Sequence, residues 1–167
     1  LYALMDYETR IWITQQVATR KYTEDVRPLL REAREKAQKR PDWFITDGAA
    51  NFHEAYLKEF WTSRAPRTEH VQHIRLQGDI QNNKMERMNG ETRDGEKVMR
   101  GLKKENTPIL KGYQIYHNYF RPHMALYGNT PAEKAGIKIE GGNPWLTAIQ
   151  NASQEPRLNT PNREPLT

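Results

Sequence analysis

The apolar residues near the N-terminus fall into two short runs on either side of a polar turn. Residues 1–5 and 11–17 are apolar and β-prone, and residues 6–10 between them are polar, a pattern that predicts a β-hairpin. In residues 23–38 apolar side chains recur every three or four positions with Arg and Glu between them. This period predicts an amphipathic helix, in which Pro28 is tolerable only close to the first turn.

The centre of the chain predicts one strand followed mostly by helices. Trp43, Phe44 and Ile45 form an apolar run as short as a buried strand. Four further segments follow. Helical spacing predicts helices at 51–61, 82–102 and 108–120, and a short apolar stretch predicts a strand at 71–74. The order of elements predicts an α/β domain with a mixed sheet, in which a strand reached through a helix joins an antiparallel hairpin.

The C-terminal part predicts three segments. In "NTPAEKAGI", Thr130 and Glu133 have the spacing of a helix capping box, with Pro131 at the first helical position. We place the end of the main domain, residues 1–137, just after this motif, and a short helix around Trp145 in residues 138–150. Residues 151–167 contain three prolines and no apolar period, so they are predicted to be a disordered tail.

Charge and composition exclude few classes of binding partner. The chain has 26 Lys and Arg against 21 Asp and Glu, a net charge of +5 and a pI near 9.4. This excess is compatible with a polyanionic partner and equally with a merely basic protein. The absence of cysteine excludes disulfides and thiolate metal sites. No signal peptide and no apolar run of about 18 residues are visible, so no membrane span is expected.

Two carboxylates stand out as candidate metal ligands. Asp47 follows a predicted buried strand and precedes Gly48, which is where α/β sheets present ligands, although Asp-Gly is also a common turn. Glu86 begins a helical face that continues with a glycine and three cations: Gly90, Arg93, Lys97 and Arg100. An apolar stripe lies opposite, formed by Met85, Met88, Met99 and Leu102.

The charged face has two interpretations. It could be a solvated helix surface on which Glu86 pairs with Lys84 or Arg87. Alternatively, Asp47 and Glu86 hold a hard divalent cation through oxygen ligands, and the neighbouring cations hold the phosphates on which the metal acts. The row of cations favours the second hypothesis slightly, because like charges at helical spacing repel unless an anion lies across them.

Three motifs resemble those of a known family. "FITDG", "NNKMERMNGETRDGEKVMRG" and "YHNYFRPHMALYGNTPAEKAGI" occur in this order and resemble the catalytic core of DDE-type insertion-sequence transposases and retroviral-like integrases. The likeness covers roughly residues 1–137. It implies an RNase H-like fold and an Asp, Asp, Glu triad that binds two Mg²⁺ or Mn²⁺ ions. It also implies cleavage of DNA at the element's ends and strand transfer to target DNA.

By this resemblance Asp47 is the second acid and Glu86 the third. The surrounding polar residues are then expected to contact DNA: Asn83, Lys84, Arg87, Arg93, Lys97 and Arg100. Asn82 and Asn83 could instead cap the helix. The resemblance further implies a homo-oligomer on DNA and a cytoplasmic, nucleoid-associated prokaryotic protein.

The first acid is missing from the obvious place. In this fold it lies on a strand that precedes the hairpin, so we expect that strand upstream of Leu1, and a chain truncated at its N-terminus. Such a chain would bind metal poorly, expose a sheet edge and fail to catalyse strand transfer. Asp6, at the hairpin turn, is the weaker candidate within the chain. If no upstream acid exists, the chain is an inactive remnant that binds DNA or assists assembly.

The histidines give weaker signals. His123 matches a histidine that the family often carries, and it could approach the active site or fix the loop between two helices; we favour the second role. His70 and His73 are spaced for one face of a strand, but the sequence offers no third ligand for a zinc site.

Overall fold

The structure is a computed structural model, and it describes residues 1–18, 20–72, 83–98, 108–137, 139 and 141–154. Strands and α-helices alternate in the first half of the chain and helices fill the second. In chain order they are β1 (Tyr2–Met5), β2 (Trp12–Gln16), α1 (Thr23–Ala37), β3 (Trp43–Thr46), α2 (Ala50–Glu59), β4 (Glu69–Gln72), α3 (Asn83–Val98), α4 (Pro108–Ile115), α5 (Pro131–Lys134) and α6 (Pro144–Gln154). A π-helical segment, Tyr116–Phe120, continues α4.

These elements confirm the α/β class and the order that the hydrophobic pattern predicts. The expected single mixed sheet is not present among the described residues, which form two small sheets instead. β1 pairs with β2 antiparallel, with Tyr2 opposite Gln16. β3 pairs with β4 parallel, with Trp43 opposite Glu69. The hairpin and the strand reached through α1 are therefore both formed, but they are not hydrogen-bonded to each other in this chain.

A groove separates the two sheets. Its lining includes consecutive residues of both facing strands, from Ala3 to Met5 and from Trp43 to Ile45, and its volume is about 370 Å³. At one end, the Asn51 side chain on α2 donates to the Tyr2 hydroxyl at 3.0 Å. Since α2 follows the end of β3 and Tyr2 begins β1, the two strands run in opposite directions along the groove.

The larger hydrophobic core joins α1, β3 and α2. Its buried members are Val26, Leu30, Phe44, Ala55, Tyr56 and Phe60. The Phe44 ring lies at its centre, edge-on to the Phe60 ring with centroids 5.5 Å apart. Burial of each large side chain stabilises the fold by roughly 1.5–3 kcal/mol, so β3 and its end are held firmly. Pro28 is the sixth residue of α1, deeper than the first turn that the sequence favoured, and it is exposed.

A smaller core attaches α3 to the hairpin. Met88 is buried with Ala3 and Trp12, and Met85 packs against them. These contacts confirm that the first half of the predicted apolar stripe faces inward. Met99 and Leu102, its second half, lie outside the described residues.

The C-terminal segments follow their local signals. The capping box at α5 is formed, because Glu133 N–H donates to Thr130 Oγ1 and Thr130 N–H donates to the Glu133 carboxylate. α6 is attached by Trp145, whose ring stacks on Phe120 with centroids 3.7 Å apart. This helix extends into the first four residues of the predicted tail. Across the described ranges, no helix has both the length and the apolar character needed to cross a membrane.

Candidate active site

Asp47 lies in a tight turn at the end of β3, and its side chain is exposed. Gly48 has a φ of 86°, a backbone conformation that glycine adopts without strain. Ala49 N–H donates to Asp47 Oδ1 at 3.2 Å, so the turn interpretation holds for one carboxylate oxygen. No described residue bonds the other oxygen, which leaves it available to a ligand.

A series of polar contacts with side chains of β4 and α2 stabilises this turn. The Thr46 hydroxyl accepts from Gly48 N–H at 3.3 Å and lies 2.9 Å from His70 Nε2. His70 Nδ1 lies in turn 3.1 Å from Nδ1 of His53 on α2. Only one proton fits between two such nitrogens, so one of them donates and the other accepts. Burial, and then the proximity of His53, lowers the pKa of His70.

The sequence did not single out His53 or Thr46. His53 lies on α2 and His70 on β4, and only the packing of the helix against the sheet brings them together. The parallel register, which places His70 opposite Phe44, brings the histidine within reach of Thr46. His73, the other histidine of the considered zinc pair, lies outside the described residues.

Glu86 lies near the start of α3 and is exposed. The predicted local ion pairs with Lys84 or Arg87 do not form, and within the described ranges no residue bonds its carboxylate. Arg93 and Lys97 on the same face are exposed as well, which agrees with the predicted helix face. Lys97 pairs with Asp94 at 3.0 Å. Arg100 and the side chain of Asn83 lie outside what the structure describes.

Lys84 is engaged within the protein, although the family resemblance predicts that it contacts DNA. Its ammonium donates to the Tyr7 carbonyl at 2.8 Å and lies 3.5 Å from the centroid of the Tyr7 ring. Burial lowers the pKa of Lys84, and Arg10 adds to this through charge repulsion. These contacts attach the start of α3 to the turn of the hairpin.

The described residues do not join the two candidate acids. Lys84, two positions before Glu86, contacts the hairpin turn, whereas Asp47 contacts the first residues leading into α2. Within the described ranges, no hydrogen bond links Asp47 to Glu86, and no group of three or more His, Cys, Asp or Glu could hold a metal ion. A shared role for the two acids therefore stays a prediction.

Asp6 stabilises the hairpin turn. Its Oδ2 accepts from the Thr9 N–H at 2.8 Å and from the Thr9 hydroxyl at 2.7 Å. Its backbone also bonds Ile11 and Arg10. This arrangement gives Asp6 a structural function in the turn, and its role as a first acid stays a prediction.

The motif "YHNYFRPH" attaches the second half of the chain to the hairpin. Arg121 forms a two-pronged ion pair with Glu91 of α3. The His117 ring nitrogen Nε2 lies 3.0 Å from the Arg10 carbonyl. His123 packs edge-on against His117, with ring centroids 4.7 Å apart, and its backbone accepts from Leu126 and Gly128. These contacts support the loop-fixing role of His123.

Comparison with known proteins agrees with the motifs. The profile of a protein family described as a DDE domain matches residues 1–123, which include the strands, the Asp47 turn, α3 and the motif ending at His123. Comparison with curated proteins and with solved structures gives no match. Because the matched residues are well over half of the 167, the chain belongs to the DDE domain family of insertion-sequence transposases.

Proposed function

We propose that this chain is the catalytic core of an enzyme that cuts the ends of a mobile DNA element and joins them to target DNA. One observation carries the proposal: the residues that match the DDE family include both Asp47 and Glu86, and both carboxylates are exposed. An exposed acid at the end of a buried strand and another on a polar helix face are available for metal-assisted phosphodiester chemistry.

The carboxylate oxygens of Asp47 and Glu86 are of the type that binds Mg²⁺ or Mn²⁺, but two acids are fewer than a metal-binding triad requires. Carboxylate oxygens are the ligands that these hard cations prefer. A triad needs three acids, however, and the described residues contain no such cluster. A pair of bound ions would activate the attacking oxygen and stabilise the leaving one. Asp47 contributes the oxygen that Ala49 does not engage, and Glu86 contributes both of its oxygens.

The groove between β1 and β3 suggests how the site is completed. Each of these strands has one edge that no described strand covers, and the groove between them has a volume of about 370 Å³. An additional strand in this groove would merge the two small sheets into one mixed, RNase H-like sheet. By the family resemblance, that strand carries the first acid.

DNA is the proposed partner of the exposed polar face around Glu86. Arg87 and Arg93 are exposed and have no described side-chain partner, and Lys97 and Arg100 continue the face along the helical period. Cations on flexible side chains suit backbone contacts rather than base readout. Asn83, the first residue of α3, is also expected to contact DNA. Action as a homo-oligomer on paired DNA ends, in the cytoplasm of a prokaryote, belongs to the same proposal.

The alternative function is a non-catalytic module that binds DNA or assists assembly. The specific observation in its favour is that, within the described ranges, no hydrogen bond links Asp47 to Glu86 and no group of three or more His, Cys, Asp or Glu could hold a metal ion. A domain that had lost its first acid would keep this fold and its basic face. Strand transfer by the intact protein distinguishes the two functions.

The test is strand transfer by the intact protein, as its gene encodes it, on duplexes that carry the ends of the element. With Mg²⁺ present, we expect 3′-hydroxyl ends to be joined to a second duplex. Asp47→Asn and Glu86→Gln should each reduce joining by more than the roughly 10- to 100-fold typical of outer-sphere partners. Joined products also separate a transposase from a simple nuclease of the same fold.

Asp94→Asn is the matched control. Asp94 is also an exposed acid on α3, but its carboxylate pairs with Lys97. It should retain most of the activity. Unchanged strand transfer in both Asp47→Asn and Glu86→Gln would contradict the catalytic proposal, and a protein that binds DNA but never joins it would favour the alternative function.

A further inference from the structure

A second groove, at the opposite end of β3 from Asp47, carries a cluster of cations. It lies between the end of α1 and the loop that precedes β4, and its volume is about 910 Å³. Five cations line it: Arg34, Lys39, Arg40, Arg64 and Arg67. Only two acids do so, Glu35 and Asp42. We refer to these residues as the basic groove.

The cations of the basic groove are not neutralised within the described protein. None of the five takes part in a described ion pair, and Lys39, Arg40 and Arg64 also have no described hydrogen-bond partner on their side chains. Arg34 and Arg67 each donate one bond to a backbone carbonyl, of Glu59 and Ser63 respectively. A guanidinium has five N–H donors, so both retain free donors for an external anion.

The end of α1 explains only one side of the groove. Cations just after α1 interact favourably with the negative end of the helix dipole, which accounts for Lys39 and Arg40. Arg64 and Arg67 come from the loop between α2 and β4, a different part of the chain. Two separate segments thus place positive charge against the same space, and their mutual repulsion is relieved when an anion lies between them.

Hydrogen bonds within the protein hold the walls of the basic groove in place before any ligand binds. The Thr68 hydroxyl donates to the Pro41 carbonyl at 2.7 Å, and the Tyr56 hydroxyl donates to the Thr68 carbonyl at 2.8 Å. Glu69 N–H bonds the Asp42 carbonyl at 2.8 Å. These bonds attach the loop to the start of β3 and to α2, so little ordering is required on binding.

The lining indicates which anion the groove accepts. It contains no aromatic side chain, so it lacks the stacking platforms that hold single-stranded bases. It also lacks the aromatic or aliphatic anchors on which protein partners depend. Cations around an open, polar groove match the phosphate backbone of a duplex, whose charges are closely spaced and independent of sequence.

From these observations we infer that the basic groove is a second binding surface for duplex DNA, which holds the phosphate backbone away from the reaction centre. Asp42 and Asp47 flank β3, so the groove lies roughly 16 Å from the candidate acid along the strand. One phosphate cannot contact both. The groove would therefore hold phosphates that lie about five nucleotides or more from the one being cut, since successive phosphates of a strand are spaced by about 3.4 Å. The inference rests on the proposed function only in taking DNA as the partner.

The experiment measures the affinity of the intact protein for a fluorescein-labelled 30-base-pair duplex of arbitrary sequence over a range of salt concentrations. The groove variant carries Lys39→Glu, Arg40→Glu and Arg64→Glu. The matched control carries Lys21→Glu, Lys111→Glu and Lys134→Glu, which reverse three other exposed cations. Loss of three phosphate contacts should flatten the salt dependence by a slope of about 2.7 and weaken binding roughly 100-fold at 0.15 M salt.

The outcomes separate the two proposals. A control that weakens binding as much as the groove variant would overturn the inference, because net charge alone would then explain the loss. Weaker binding of a single strand but not of the duplex would overturn it as well. A neutral variant, Lys39→Gln with Arg40→Gln and Arg64→Gln, should show a smaller loss in the same direction and guards against misfolding. This test measures binding and not joining, so its result does not depend on whether Asp47→Asn abolishes strand transfer.

Discussion

The side-chain amide of Asn118 pairs with the backbone of Trp12 as a neighbouring β-strand would. Trp12 N–H donates to Asn118 Oδ1 at 2.8 Å, and Asn118 Nδ2 donates to the Trp12 carbonyl at 2.9 Å. Gln114 also donates to this carbonyl at 2.7 Å. A residue from the π-helical segment therefore satisfies an exposed edge of β2, which explains why the "YHNYFRPH" motif contains an asparagine at this position.

Replacement of Asn118 should destabilise the fold. Asn118→Ala removes both bonds and leaves the buried Trp12 N–H without a partner, which should lower the free energy of unfolding by about 1–3 kcal/mol. Urea denaturation measures this change. Asn129→Ala is the control, because Asn129 makes one local bond, to Leu126, and should cost less. Equal losses in the two variants would show that the pairing with Trp12 contributes nothing specific.

Two glycines of α3 should respond to alanine in opposite directions. A Cβ at Gly95 would lie 2.1 Å from Tyr113 Oη and 2.8 Å from Cζ, whereas nothing lies within 4 Å of a Cβ at Gly90. Gly95→Ala should therefore cost roughly 1–3 kcal/mol through overpacking. Gly90→Ala should gain about 0.5–1 kcal/mol from helix propensity. Thermal melting of both variants measures the difference.

A double variant isolates the cause of the Gly95 effect. Adding Tyr113→Phe removes the oxygen nearest to the new methyl group, so it should recover part of the loss in Gly95→Ala. A Gly95→Ala variant that is stabilised as much as Gly90→Ala would contradict the close packing of α3 against Tyr113.

Substitutions of Lys84 and Arg87 should distinguish an effect on stability from an effect on DNA binding. Lys84→Met should lower the free energy of unfolding by about 1–2 kcal/mol, because the bond to the Tyr7 carbonyl and the contact with its ring are lost. Arg87→Met, at an exposed position, should change stability by less than about 0.5 kcal/mol. Duplex affinity should fall more for Arg87→Met. A greater loss of affinity in Lys84→Met would restore the original DNA-binding assignment of that lysine.

Stability should fall as the pH drops through the range in which histidine titrates. Burial lowers the pKa values of His70, His117 and His123 from 6.5, so the folded state favours their neutral forms. Their contribution is complete above pH 6.5 and is lost as the pH falls through the lowered folded-state pKa values. Urea denaturation between pH 5 and 8 should show the decline below about pH 6.5.

The His70→Gln variant tests how much His70 contributes to the pH dependence of stability. Glutamine keeps a hydrogen-bonding group near Thr46 but does not titrate, so the decline on the acidic side should become shallower. An identical pH dependence in this variant would mean that His70 does not carry the effect. Measurements between pH 7.5 and 8.5, where all three rings are neutral in both states, provide the baseline.

Local patterns predicted the elements well for physical reasons. The hairpin at 1–17, the helix from Thr23 and the strand after Pro41 depend on side-chain period and turn residues, which neighbouring positions determine. The capping box at Thr130 and Glu133 is local in the same sense. The position of Asp47 at the end of a strand was predictable for this reason, as was the exposure of Glu86 opposite Met85 and Met88.

Contacts between distant segments were not predictable. Neither His53 nor Thr46 carries a sequence signal, because their approach to His70 requires α2 to pack on a parallel strand pair. Lys84 has the same local pattern whether it faces DNA or the Tyr7 ring. The separation into two sheets likewise depends on strand pairing across the chain, which the hydrophobic period does not encode.

The sequence by itself determined the family, the order of strands and helices and the two candidate acids, because motifs and periodicity are properties of neighbouring residues. Only the tertiary structure decided the groove between β1 and β3, the polar chain behind Asp47, the attachment of Asn118 to Trp12 and the basic groove. Each of these brings together residues that lie far apart in the chain. Their proximity results from the burial of apolar surface between elements, which no single segment specifies.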